Sequence, residues 1–189
     1  FGCGVRGAVP GLVACWGDDS AGQQGNGATT GVVMRPTAIA GAHELDALAA
    51  GVNGAHVCGL GAGALYCWGD NRQYQAAQPA GGLVLAPARV GADVGWTAVA
   101  AGASGTCGVR AGGLYCWGRD DRDTEQCGLD RDNGNAFVPT PTQVGVDLGA
   151  VTFTSVAVGD RHGCAIASDD RLFCWGDSRQ GAAGLAGAR

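Results

Sequence analysis

The stretch GTCGVRAGGLYCWG (105–118) decides the fold. It reads as a β-hairpin with a cysteine on each arm. Folded about Ala111-Gly112 as a two-residue turn, it sets Arg110 opposite Gly113, Val109 opposite Leu114, Gly108 opposite Tyr115 and Cys107 opposite Cys116. Gly112 tolerates the positive φ that such a turn demands. Counting back from a hydrogen-bonded pair at the turn puts Cys107 and Cys116 on a non-hydrogen-bonded pair, with Cα atoms about 4.5 Å apart. That is the short end of disulfide geometry.

The hairpin occurs in three further versions: FGCGVRGAVPGLVACWG (1–17), AHVCGLGAGALYCWG (55–69) and HGCAIASDDRLFCWG (162–176). Cys58 and Cys67 repeat the register around Ala62-Gly63. Cys3 with Cys15, and Cys164 with Cys174, are symmetric about longer turns. The turns vary while the cysteines stay opposed. We read four cross-strand disulfides, with buried reduced thiols as the competing reading. The paired cysteines stand 9 to 12 residues apart, unlike the two-to-four spacing of a zinc knuckle. The ninth cysteine, Cys127, falls in a loop outside the hairpins and reads as an unbridged thiol or an intermolecular link. Disulfides imply an oxidising, extracellular or periplasmic compartment.

The chain has 189 residues, 36 of them glycine, and an apolar content of 46% that argues against disorder. Its net charge is −5, and all twelve basic residues are arginines scattered along it. This pattern gives no electrostatic footprint for nucleic acid. No apolar run is long enough to span a membrane. The chain opens almost on a cysteine strand with neither initiator Met nor leader, which reads as a processed chain or a fragment.

The equivalent tryptophans, Trp16, Trp68, Trp117 and Trp175, set a period near 50 residues. Each period holds four short strands. The hairpin's arms are followed by a polar or glycine-rich loop, a short strand at the proline (Pro36, Pro87, Pro141) and a strand ending in glycine (45–51, 96–102, 153–159). This is the signature of propeller blades. In LYCW, Leu114 and Cys116 face one way and Tyr115 and Trp117 the other. Both faces are apolar, so the strand is covered on both sides, as stacked blades provide. The expected fold is an all-β propeller of about three and a half four-stranded blades in a single domain over 1–189. Its units lie at 1–57, 58–106, 107–163 and 164–189, the last truncated. We expect an open arc, completed by further blades of a parent chain or by an oligomeric mate.

These residues resemble the regulator of chromosome condensation repeat family. Its Val-Ala-Ala-Gly element is matched by Ala49-Ala50-Gly51 with His56, by Val99-Ala100-Ala101-Gly102, and by Val156-Ala157-Val158-Gly159 with His162. Its Tyr-x-Trp-Gly and Gly-Gln-Leu-Gly elements are clearest in Trp16-Gly17-Asp18-Asp19 with Gly22-Gln23-Gln24-Gly25. The second and third units depart from the latter, reading YQAA and EQCG. The resemblance implies a larger, seven-bladed propeller, and the paired cysteines resemble its secreted bacterial branch. The activities it implies include guanine nucleotide exchange on a small GTPase, chromatin binding and inhibition of a β-lactamase. No residues of this chain match the sites for them.

Three groups are candidates for chemistry. His56 and His162 stand two residues before Cys58 and Cys164, on the cysteine face, and read as packed histidines bonding between blades rather than as ligands. The loop RDDRDTEQCGLDRDNGNAF (119–137) is the most irregular segment. Asp130, Arg131, Asp132, Asn133 and Gly134 faintly resemble a calcium loop, but the glycine is one position early and no Glu closes it. Asp120, Asp121, Asp123 and Glu125 are interspersed with Arg119, Arg122 and Arg131, which hold carboxylate pKa values down. Long insertions on rigid scaffolds carry recognition, so Asp120, Asp121, Arg122, Asp123, Glu125, Asp130, Arg131 and Asp132 form the expected partner-binding loop. No nucleophile motif, metal set or cofactor-binding glycine loop stands out. The expected function is non-catalytic binding of a protein partner. The rival readings are an enzyme or calcium module using residues 119–132, and nucleotide exchange by family analogy.

Overall fold

The structure is a computed structural model and describes residues 1–7, 11–41, 43–121, 127–129 and 137–177. Its strands form four antiparallel sheets in chain order. The first holds β1 (Gly2–Arg6), β2 (Gly11–Asp18), β3 (Val32–Ala38) and the short β4 (Glu44–Leu45). The second holds β5 (Ala47–Ala50), β6 (His56–Gly61), β7 (Ala64–Asp70) and β8 (Leu83–Arg89). The third holds β9 (Trp96–Ala101), β10 (Gly105–Arg110), β11 (Gly113–Arg119) and β12 (Phe137–Val144). The fourth holds β13 (Phe153–Val158), β14 (His162–Ala167) and β15 (Leu172–Gly176).

Each hairpin has the register its cysteines require. Cys3 lies opposite Cys15, Cys58 opposite Cys67, Cys107 opposite Cys116 and Cys164 opposite Cys174. All four pairs are disulfides with Cα atoms 4.1 Å apart, slightly closer than a relaxed non-hydrogen-bonded pair. At the turn both Ala111 (φ 48°) and Gly112 (φ 79°) are left-handed, and Ala62 and Gly63 repeat this. Positive φ at both central residues is a type I′ turn, whose twist matches the flanking strands.

The alternation along the arms decides how the sheets stack. On one face, here the trailing face, each sheet carries its disulfide and two aliphatic residues: Val5 and Val13, Leu60 and Leu65, Val109 and Leu114, Ile166 and Leu172. On the other, leading face stand the tryptophan and the residue two before it. The trailing face of the first sheet packs on Val57, Tyr66 and Trp68 of the second. That of the second packs on Trp96 and Trp117 of the third. The core is therefore a series of apolar layers between blades, and every enclosed layer contains a disulfide.

β5 packs against β9, and β9 against β13, along the inner side of the arc. Here the glycine ending each inner strand meets the next. A Cβ on Gly51 would lie 1.9 Å from the Gly102 oxygen, and one on Gly102 would lie 2.3 Å from the Gly159 oxygen. No side chain fits at either position, which accounts for the glycine that ends Val-Ala-Ala-Gly. The architecture is an open arc of propeller blades.

The outer strands begin earlier than the prolines suggest. Pro36, Pro87 and Pro141 fall within β3, β8 and β12 rather than at their starts. These are the outermost strands, where a missing N–H breaks no ladder. Opposite each tryptophan of β2, β7 and β11 the pairing register shifts, a recurring bulge that lets the chain turn into the loop. Among the described residues the one helical element is a 3₁₀ turn, Val146–Leu148.

Candidate functional site

The second arms run out into loops 18–31, 70–82 and 119–136. The inner strands return through 51–55, 102–104 and 159–161. Antiparallel pairing puts all six on one rim of the arc, which is thus the rim bearing the predicted partner loop.

The bases of the first two long loops are the same turn, and the third shares its anchor. In the first unit Asp19 is fully buried, and its carboxylate accepts from the Gln24 N–H (3.0 Å), the Thr30 N–H (2.9 Å) and the Thr30 hydroxyl (2.7 Å). In the second, Asn71 Oδ1 accepts from the Ala76 N–H (3.0 Å), while its amide donates to the Gln78 and Ala80 oxygens. In the third, Asp120 Oδ1 accepts from the Cys127 N–H (2.9 Å). Left-handed residues also recur, Gly25, Ala77 and Gly128 at one position and Gly22 and Tyr74 at another. This corrects the expectation that the second unit loses the turn; in the third, residues 122–126 lie outside the described residues. The geometry is kept by main-chain bonds and an Asp or Asn, while the residues in the turn vary.

The following sheet's tryptophan covers each turn. Trp68 Nε1 donates to the Gln23 oxygen and Trp117 Nε1 to the Gln75 oxygen, both at 3.0 Å. Trp175 packs over Gly128, where a Cβ would lie 2.8 Å from the indole. Thr106 Oγ1 donates to the same Gln75 oxygen (2.8 Å), and His56 Nε2 lies 2.8 Å from Thr106 Oγ1.

Asp120 is buried as the anchor of its turn, and Asp121 pairs with Arg119. Arg122, Asp123, Glu125, Asp130, Arg131 and Asp132 lie outside the described residues. Cys127 is buried, outside the four disulfides, where its Sγ lies 3.7 Å from the Arg119 oxygen. It occupies the place of Gln24 and Ala76. His56 is fully buried and its pKa falls to about 4 because burial penalises the imidazolium. His162 occupies the equivalent place on the fourth sheet and is half-buried.

Two rim carboxylates titrate low. The Ser20 N–H and hydroxyl hold Asp18 below the usual range. Burial alone would raise Asp70, but hydrogen bonds from Arg72, and its charge, outweigh this and lower it. Arg72 pairs with Asp70 at 2.8 Å, and Arg161 with Asp177 at 3.8 Å. Asn53 Nδ2 reaches Asp160 Oδ2 across the inner loops (3.2 Å). Sequence reasoning missed Arg110, on the opposite rim. Its guanidinium stacks 4.3 Å from the Tyr115 ring centre and 5.3 Å from that of Trp96, and it pairs with Asp93. Arg110 closes the hairpin arm of the quoted stretch, and the alternation already puts it beside Tyr115.

Among the described residues no group of His, Cys, Asp or Glu is arranged to hold a metal, and no helix is long and apolar enough to cross a membrane. What the rim offers is a rigid frame carrying loops of unlike length.

Comparison with known proteins supports this geometry. The models of the regulator of chromosome condensation (RCC1) repeat match residues 111–166 and 153–182. No curated protein matches. A crystal structure of Kap60 bound to yeast RCC1 (Prp20) is similar at 27% identity and TM-score 0.75, over 93% of this chain and 42% of that one. A structure of Prp20p from Saccharomyces cerevisiae, described with its binding to Gsp1p and histones, is similar at 27% identity and TM-score 0.76, over 94% and 44%. Human WBSCR16 shares the fold at 20% identity and TM-score 0.72. The chain spans less than half the length of these structures. Its residues 111–182 match the regulator of chromosome condensation repeat, and its fold is similar to that of solved members of that family.

Proposed function

We propose that the chain is a non-catalytic protein-binding module of an extracellular or periplasmic compartment, presenting the loop rim to a protein partner. One observation carries the reading: a buried Asp or Asn anchors a following main-chain N–H at the base of three rim loops whose residues differ. A fixed base with a variable loop supplies specificity at little ordering cost. The four disulfides support an oxidising compartment. The similar yeast protein is described with bound Kap60 and with its binding to Gsp1p and histones, which supports protein binding as the class of function here.

Loop 119–136 is the assigned contact, with Asp120 and Asp121 at its base and Arg122, Asp123, Glu125, Asp130, Arg131 and Asp132 beyond. The test is affinity capture with the native chain beside a variant carrying Asp123→Asn, Glu125→Gln, Asp130→Asn and Asp132→Asn. A protein held by the native chain and released by the variant supports the reading. A partner held equally by both overturns the loop assignment. A small-molecule turnover lost in the variant would overturn the non-catalytic role.

A further inference from the structure

Three loops meet along the inner side of the arc, 51–55, 102–104 and 159–161. Residues 51–54 make a tight turn in which the Gly54 N–H donates to the Gly51 oxygen at 3.1 Å. Asn53 stands exposed in this turn at φ 59°, a left-handed conformation that Asn tolerates. Its Nδ2 donates to Asp160 Oδ2 at 3.2 Å, so one bond clasps the inner loop of the second sheet to that of the fourth. Gly54, next in the chain, is closely fitted. A Cβ there would lie 2.5 Å from the Gly102 oxygen and 3.1 Å from the Ala103 oxygen. Asn53 followed by glycine is also a reactive pair. With no Cβ beside it, the Gly54 nitrogen is unhindered towards the Asn53 side-chain carbonyl.

Asn26–Gly27 is the same pair in a different setting. The Gly27 N–H donates to the Leu85 oxygen of β8, in the next sheet, at 2.8 Å, and Asn26 Oδ1 accepts from the Ala28 N–H at 3.0 Å. Freeing the Gly27 nitrogen parts two sheets, whereas freeing that of Gly54 opens one exposed turn. We propose that Asn53 is a site of spontaneous modification, and that its conversion to a carboxylate opens the clasp on Asp160. The Gly54 nitrogen bonds to Asn53 Cγ, the Cγ–Nδ2 bond breaks, and ammonia leaves with the Gly54 proton. Water then opens the cyclic imide. Opening at Cγ gives aspartate, and opening at the main-chain carbonyl gives isoaspartate. Either product sets a second carboxylate against that of Asp160, where like charges repel. Isoaspartate also lengthens the main chain where Gly54 fits against Gly102. The inference goes beyond the binding role of the rim and uses no residue of loop 119–136.

The test follows the native chain through prolonged incubation at mildly alkaline pH. Peptide mapping reads the conversion of amide to acid, and labelling by an isoaspartyl methyltransferase reads the isoaspartate. Asn53 converts at least about tenfold faster than Asn26, because conversion tracks the population of the open turn. Conversion at Asn53 no faster than at Asn26 overturns the site. Thermal denaturation of Asn53→Asp, Asp160→Asn and the double variant tests the clasp. Asn53→Asp has a lower midpoint than the native chain at low salt, and either added salt or Asp160→Asn restores part of the loss. A midpoint unchanged in Asn53→Asp, or lowered equally with and without Asp160→Asn, overturns the clasp. The incubation needs no variant, so it decides the site even where a variant fails to fold. Failure of rim-loop capture would leave these results unaffected, so the two readings are tested separately.

Discussion

His56 Nε2 donates its proton to Thr106 Oγ1, 2.8 Å away in the next sheet. The direction follows from the next bond in the chain, because Thr106 spends its own proton on the Gln75 oxygen. His56 is therefore the neutral Nε2–H tautomer, and its Nδ1 is buried with no hydrogen-bond partner among the described residues. Protonation would put a charge there with nothing to receive it. The relay ties the second sheet, the loop beyond it and the third sheet into one unit.

Stability should fall as His56 is forced to charge. Its folded pKa is about 4, below the ordinary 6.5. A base with a depressed pKa binds more protons when unfolded, so its contribution is complete above pH 6.5 and is lost as pH falls towards 4. The loss is at most about 3 kcal/mol. Urea unfolding of the native chain and of His56→Leu checks this. The stability difference between them should shrink across that window, and a constant difference would mean that the ring does not titrate on unfolding.

The tryptophans provide an internal comparison. Trp68→Phe removes an indole N–H from the Gln23 oxygen and should cost about 2 kcal/mol, the penalty for a buried acceptor left short plus a small void. Trp117→Phe should cost less, because Thr106 still serves the Gln75 oxygen. Trp16→Phe, at a half-exposed ring, should stay within about 0.5 kcal/mol. Thermal denaturation of the three ranks them, and a Trp16 variant as damaged as Trp68→Phe would refute the assignment of the bond.

Two alanines sit where alanine is disfavoured. Ala62 (φ 49°) and Ala111 (φ 48°) open type I′ turns, and Asn accepts that conformation more readily than residues with an unadorned Cβ. Ala62→Asn and Ala111→Asn should each stabilise the chain by about 0.5–1 kcal/mol, read as a higher denaturation midpoint at an unchanged slope. A lower midpoint would show that the two turns are held by neighbours rather than by local preference.

The hairpins were legible because both periodicity and cysteine pairing are local. Opposing Cys107 to Cys116 fixes which residues share a face, and alternation then predicts that Leu114 and Trp117 are covered from opposite sides. The turns were not legible. Tyr74 and Ala77 have no residue type in common with Gly22 and Gly25 but share their left-handed φ, and what holds them is main-chain bonding, Tyr74 N–H to the Asn71 oxygen and Ala77 N–H to the Tyr74 oxygen, as Gly22 and Gly25 are held in the first unit. Asp120 read as a surface carboxylate because its neighbours are charged, whereas the Cys127 N–H makes it an anchor. The exposure of Trp16 depends on what packs over the first sheet, which a repeat pattern does not record.

The disulfides should differ in worth although their loops are alike. Cys107–Cys116 and Cys164–Cys174 close sequence separations of 9 and 10. Chain entropy therefore predicts nearly the same contribution for each, just under about 3 kcal/mol. Their surroundings differ. Cys107 and Cys116 are buried between the third and fourth sheets, whereas Cys164 and Cys174 are only partly covered on the trailing face. Replacing the first pair by alanine removes two sulfurs from a packed layer and adds a cavity cost of about 1–2 kcal/mol, which the second pair escapes because solvent fills the space. Denaturation of the two double variants gives the difference directly. Equal losses would mean that the bonds act only on the unfolded chain. A larger loss at Cys107–Cys116 would mean that the disulfides also serve as packing elements between blades. The same burial predicts the order of reduction under mild thiol, with Cys164–Cys174 opening before Cys107–Cys116 because access limits exchange.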